Sequence, residues 1–136
     1  MELIDIKILN TTIERKINRE LAAFQITSAQ ADILIYLNRH SENVICQKDL
    51  EQALSLTHPT VSSILKRLED KQLISTELLS EDHRFKKISL TSKSNSMIAD
   101  LYKKIEFIYV QAIQGFNSDE LSLLTGFLHK MKDNLK

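Results

Sequence analysis

Apolar residues recur at three- and four-residue spacing along both ends of this chain, whereas its middle carries the only proline and much shorter apolar runs. A period near 3.6 sustained over several turns is an amphipathic helix, so the ends read as helical scaffold and the middle as a compact mixed element. Near the start Ile6, Leu9, Ile13, Ile17, Leu21 and Phe24 form one stripe. A second helix opens at Thr27, whose hydroxyl can accept from an orphan amide while Gln30 reaches back, ahead of Ile33, Leu34 and Leu37. From Ser92 onward Ile98, Leu101, Ile105, Ile108 and Ala112 form a stripe, and Tyr102, Phe107, Tyr109, Val110 and Ile113 cover other faces. Such a helix needs more than one packing partner. Gly115 suits a left-handed stop, and Asn117 with Glu120 can cap a last helix bearing Leu121, Leu124, Leu128, Met131 and Leu135. A chain of 136 residues offers few internal partners for so much apolar surface. A homodimer supplies them, and an intramolecular bundle is the alternative.

Between Val44 and Thr91 the elements shorten. Residues 47 to 54 read as a two-turn helix with Leu50, Ala53 and Leu54 inward, followed by the tight connection Ser55-Leu56-Thr57. The next helix begins around Pro59, which is tolerated in a first turn because that amide has no intrahelical acceptor. Two helices joined by three or four residues make a helix-turn-helix. In the second, Val61, Ile64, Leu65 and Leu68 form the buried stripe. At about 100° per residue the opposite face collects Pro59, Ser63, Lys66, Arg67 and Asp70, flanked by Thr60 and Ser62. Small hydroxyls let a helix approach the floor of a groove, and lysine or arginine can pair phosphates or guanine. An ordinary solvated face is the competing reading. Beyond it, Leu73-Ile74 with residues 76 to 79 and then residues 87 to 90 read as two strands of a hairpin. In its tip, residues 80 to 86, Asp82 can hold Arg84 by charge-assisted hydrogen bonds. An arginine on a protruding hairpin suits a narrow minor groove, and Lys86 and Lys87 suit phosphates.

Composition removes other classes. Two glycines, Gly115 and Gly126, cannot write a dinucleotide fingerprint or a P-loop. The single cysteine, Cys46, excludes an intrachain disulfide and a multi-thiolate zinc site, and fits a reducing cytoplasm. No apolar run approaches the roughly 18 residues of a membrane span, and no export signal opens the chain. His40, His58, His83 and His129 are scattered, and the adjacent carboxylate pairs diverge, so no catalytic or metal constellation is expected and no cofactor is called for. The 18 basic and 18 acidic residues cancel, yet residues 58 to 93 hold seven basic and five acidic, the one net-positive stretch.

The runs Gln47-Lys48-Asp49-Leu50, Leu56-Thr57-His58-Pro59-Thr60-Val61-Ser62, Lys66-Arg67-Leu68-Glu69-Asp70-Lys71, Leu73-Ile74, Asp82-His83-Arg84 and Ile88-Ser89-Leu90-Thr91 together resemble the MarR family of winged helix-turn-helix regulators. Ile26-Thr27-Ser28-Ala29-Gln30 also resembles the start of that family's second helix. The resemblance implies a mainly α fold with a small β-hairpin wing: a winged helix-turn-helix lobe over residues 26 to 93, and an all-helical dimerisation lobe from residues 1 to 25 and 94 to 136. It implies an obligate homodimer on a pseudo-palindromic double-stranded DNA operator, usually a repressor released by a small molecule or an oxidant. By the same resemblance Thr60, Ser62, Ser63, Lys66 and Arg67 match recognition-helix positions, Asp82 and Arg84 match the wing, and His58 is a weaker match. Gln72 and Ser94 stand where the family commonly has glycine, and Phe85 where a second basic residue is frequent. An apolar or aromatic effector is expected between the lobes, with Phe24, Tyr36, Tyr102 and Phe107 as candidate lining. Two rival readings remain: a protein-interaction module that lost DNA binding, and a redox sensor using Cys46, whose thiol would feel the helix dipole.

Overall fold

A computed structural model describes residues 2–79 and 85–136. These form α1 (Ile4–Leu21), a 3-10 turn (Ala22–Phe24), α2 (Ser28–Arg39), α3 (Gln47–Leu54), α4 (His58–Asp70), β1 (Ile74–Leu78), β2 (Lys86–Leu90), α5 (Ser92–Asn95), α6 (Ile98–Ala112) and α7 (Ser118–Asn134). The caps expected from the sequence are present. Thr27 Oγ1 accepts from the Gln30 N–H at 3.2 Å, and Asn117 Oδ1 accepts from the Glu120 N–H at 2.8 Å. Their reciprocal bonds, from the Thr27 and Asn117 amides to Gln30 and Glu120, complete two capping boxes.

One apolar core joins α1 through α6. Leu21, Leu34, Leu50, Leu68 and Leu101 are wholly buried in it, with Val61, Ile64 and Leu65 from the predicted inner stripe of α4. Polar ties fix the joints around the core. Asn18 Oδ1 accepts from the Ser28 N–H at 2.6 Å, and Lys71 Nζ donates to the Gln25 carbonyl and to Gln30 Oε1, so the end of α4 is held to the start of α2.

β1 and β2 pair antiparallel with Ile74 opposite Leu90, Thr76 opposite Ile88 and Leu78 opposite Lys86. Ile74 and Ile88 face the core, and Ile88 also donates its N–H to the Ile45 carbonyl at 2.8 Å, which anchors the hairpin to the segment leading into α3. The helical pattern after Ser92 is not continuous. Thr91 caps a one-turn α5, the fully buried Ser94 bonds back to Thr91 through its hydroxyl, and the chain restarts as α6.

The terminal helices leave apolar surface uncovered. In α1 the stripe is buried at Ile17 and Leu21, but Ile6 and Leu9 are exposed. On α6, Phe107, Tyr109 and Val110 are exposed, and α7 buries no residue at all despite Leu124, Phe127, Leu128 and Met131.

The junction between α4 and the hairpin turns on Gln72, whose φ of 60° is left-handed. The Leu73 N–H donates to the Leu68 carbonyl and the Gln72 N–H to the Glu69 carbonyl, both at 2.9 Å, which is a Schellman closure with Leu68 and Leu73 in its apolar contact. A side chain in this region costs about 1–2 kcal/mol, which glycine avoids at some cost in unfolded-chain entropy. Gln72→Gly is therefore expected to stabilise the protein by up to about 1 kcal/mol, read as a higher urea midpoint. A lower midpoint would mean that the glutamine side chain contributes contacts that outweigh the strain.

Candidate nucleic-acid interface

α4 displays one exposed face because its other face is committed to the core. Pro59, Thr60, Ser63, Lys66 and Arg67 are all exposed, whereas Val61, Ile64, Leu65 and Leu68 are buried. Thr57 caps the helix, its Oγ1 accepting from the Thr60 N–H at 3.4 Å and donating to Thr60 Oγ1 at 2.9 Å. The first turn of α4 thus presents hydroxyls rather than amides, since Pro59 has no N–H and the Thr60 and Val61 amides are taken by Thr57.

Ser62 and His58 behave differently from the outward residues. Ser62 is half-buried and takes a hydrogen bond from Gln47 Nε2 at 2.8 Å, and His58 Nδ1 lies 2.8 Å from Glu51 Oε2. Gln47 and Glu51, which the sequence did not single out as site residues, meet this end of α4. The signal was their position on α3, one turn apart on the face turned to α4.

A groove of about 500 Å³ separates α3 and α4 from the hairpin, and Gln47, Lys48, Glu51, His58, Phe85 and Lys86 line it. Strand alternation divides the two expected phosphate lysines. Lys86, opposite Leu78, turns to this groove beside Lys48, while Lys87, opposite Glu77, lines a separate hollow with Leu37 and His40. Asp82 and Arg84 lie outside the described residues.

Cys46 precedes α3, where its N–H donates to Asp49 Oδ2 at 2.8 Å. Burial of the thiol, and then the charge of Asp49, raise its pKa. Both effects oppose the thiolate that a peroxide sensor needs, against the lowering expected from the helix dipole alone.

The four aromatic side chains expected to line one effector pocket do not converge. Tyr102 lines a cleft of about 520 Å³ between α2 and α6, together with Asp32, Arg39, Glu106 and Tyr109. Arg39 Nε donates to the Tyr102 hydroxyl at 3.2 Å. Phe24 lines a smaller hollow beside Lys71 and Lys93, Tyr36 packs on the His40 ring at 4.2 Å, and Phe107 is exposed. The aromatic spacing on α6 places Tyr102 and Phe107 on different faces, because five residues advance a helix by about 500°.

Within that cleft the Asp32 carboxyl is pushed up to about 6, first by burial and then by the nearby charge of Glu14. Folding thus raises the pKa above its ordinary 3.8, so the contribution of Asp32 is most favourable at low pH and is lost as pH rises through about 6. Part of the residue still reaches solvent, which keeps the effect modest. Asp32→Asn is expected to raise the thermal midpoint near neutral pH and to lose that advantage by about pH 4. An equal shift at both pH values would place the effect elsewhere.

Among the described residues no helix is long and apolar enough to cross a membrane. A family profile described as MarR family matches residues 24–84. Among solved structures, the MepR–DNA complex of S. aureus superimposes with a TM-score of 0.88 at 27% identity, covering 96% of this chain and 94% of that one. A MarR-family transcriptional regulator of Listeria monocytogenes complexed with a 26mer DNA matches with a TM-score of 0.87 at 26% identity, over 99% of this chain and 89% of the other. The transcription regulator MarR of Oenococcus oeni matches with a TM-score of 0.79 at 26% identity, over 94% and 96% of the two chains.

Proposed function

We propose that the chain is a MarR-type winged helix-turn-helix protein and a DNA-binding transcription regulator, a homodimeric repressor released from its operator by a small-molecule effector. The observation that carries the reading is the outward face of α4, where Thr60, Ser63, Lys66 and Arg67 stand exposed on a helix whose opposite face is locked in the core. A recognition helix needs that combination of rigid seating and small or cationic side chains. The relatives solved with DNA are similar over nearly their whole length, which supports the same partner here. In this reading residues 26 to 93 read double-stranded DNA, with His58, Thr60, Ser62, Ser63, Lys66, Arg67 and the wing residues Asp82, Arg84, Lys86 and Lys87 at the contact. Residues 1 to 25 and 94 to 136 form the dimerisation lobe.

The uncovered apolar faces of α1, α6 and α7 support a second copy as the missing partner, since a soluble chain rarely leaves so many large apolar side chains open. Two recognition helices related by a two-fold axis then meet half-sites about 34 Å apart, or a multiple of it. The cleft between α2 and α6 joins the two lobes, so an apolar or aromatic molecule seated there can favour one spacing of the helices over another.

Binding to a palindromic duplex, followed by fluorescence anisotropy over a range of salt, tests the reading. Affinity should fall steeply with salt, and Arg67→Ala should lose about 1–3 kcal/mol if it reads a guanine bidentately. No binding at low salt would favour the protein-interaction module instead. Light scattering should give twice the 15.7 kDa chain mass. Leu128→Glu should dissociate or unfold the protein, because an unpaired buried charge costs several kcal/mol. A folded monomer from wild-type protein would remove the dimer from the proposal.

A further inference from the structure

Four polar side chains from α3 and α4 close on one another at the first turn of the recognition helix. Gln47 Nε2 donates to Ser62 Oγ at 2.8 Å and to the His58 carbonyl at 3.3 Å, which uses both of its protons. A donation to His58 Nδ1, 3.0 Å away, would instead need that nitrogen unprotonated. Nδ1 also lies 2.8 Å from Glu51 Oε2, and a carboxylate oxygen only accepts, so Nδ1 carries the proton. The other ring nitrogen, Nε2, is 3.5 Å from Ser62 Oγ. The pair is lopsided: the Glu51 side chain is 20% exposed and that of His58 is 70% exposed, so glutamate is the anchored end and imidazole the displayed end.

We propose that Glu51 and Gln47 are positioning residues for DNA reading, acting through His58 and Ser62. By holding Nδ1–H on Glu51 they present His58 Nε2 and Ser62 Oγ to DNA in one arrangement. This rests on the DNA-binding reading above. In the neutral ring Nε2 is an acceptor. In the protonated ring both nitrogens donate, Glu51 balances the added charge, and Nε2–H suits a phosphate or a guanine edge. The added donor faces DNA only while Glu51 holds the other nitrogen, so a proton-linked part of DNA affinity needs both His58 and Glu51. Cys46 and Lys48 at the start of α3 and Lys86 on β2 are the other titratable groups lining the same groove. Comparison with His58→Gln separates their titration from that of the imidazole, and from that of Asp32 in the distant cleft.

The probe is a labelled duplex selected by the wild-type protein from a random-sequence pool, with affinity read by anisotropy at pH 6 and pH 8. Wild type is expected to bind about tenfold more tightly at the lower pH, the size of one charge-assisted hydrogen bond. Glu51→Gln and His58→Gln should each remove most of that difference, and the double variant should be no weaker than His58→Gln alone. A pH difference that survives in either variant, or losses that simply add, overturns the positioning role. Failure of wild type to bind any duplex overturns the DNA-binding reading beneath it. Nitrogen NMR of the wild-type imidazole, which needs no variant, should show the Nδ1–H form for neutral His58, and the Nε2–H form would refute the proposal.

Discussion

When the stripe Val61, Ile64, Leu65 and Leu68 goes into the core, the rotation of α4 about its axis is no longer free, and every outward residue acquires a direction. Leu68 is wholly buried, and it also receives Leu73 through the left-handed step at Gln72, so the same contact that seats the helix aims the hairpin. A chain that continued straight after Asp70 would carry β1 away from α3 and open the groove between them. The strain at Gln72 is thus part of how helix and hairpin face the same side.

Around this joint the protein uses polar ties where apolar packing alone would leave sliding freedom. Lys71 reaches the Gln25 carbonyl and Gln30, Thr91 Oγ1 donates to the Gln72 carbonyl, and Lys93 reaches the Lys71 carbonyl. Apart from the Lys71 bond to the Gln30 side chain, each satisfies a backbone carbonyl near a helix end or turn. Direction matters in such bonds, whereas burial of leucine is indifferent to small shifts. Similar ties reach α1 through Asn18 and α6 through Tyr102, yet α1, α6 and α7 still leave apolar faces open.

Much of this was legible in the sequence because it follows from local rules. The capping chemistry of Thr27 with Gln30 and Asn117 with Glu120, and the left-handed Gly115, are decided within a few residues. The inner stripe of α4 and the outward placement of Lys66 and Arg67 follow from helical period alone. That Gln72 stands in a glycine's place came from the family resemblance and not from a local rule. Less legible were features that depend on two distant segments meeting. Glu51 was not singled out, and Gln47 appeared only within a run that matches the family, until α4 was laid against α3. The lysines at 86 and 87 looked like one basic pair until the sheet turned them apart.

The sequence by itself determined most of the elements and which face of each helix is apolar, since capping and periodicity act over a few residues, but not the break between α5 and α6 or the 3-10 turn after α1. Only the tertiary structure decided the polar contacts between α3 and α4, the separation of Tyr102 from Phe24, Tyr36 and Phe107, and the raised pKa of Cys46. Hydrogen bonds and desolvation depend on distances of a few ångströms between segments far apart in the chain, and no local pattern encodes those distances.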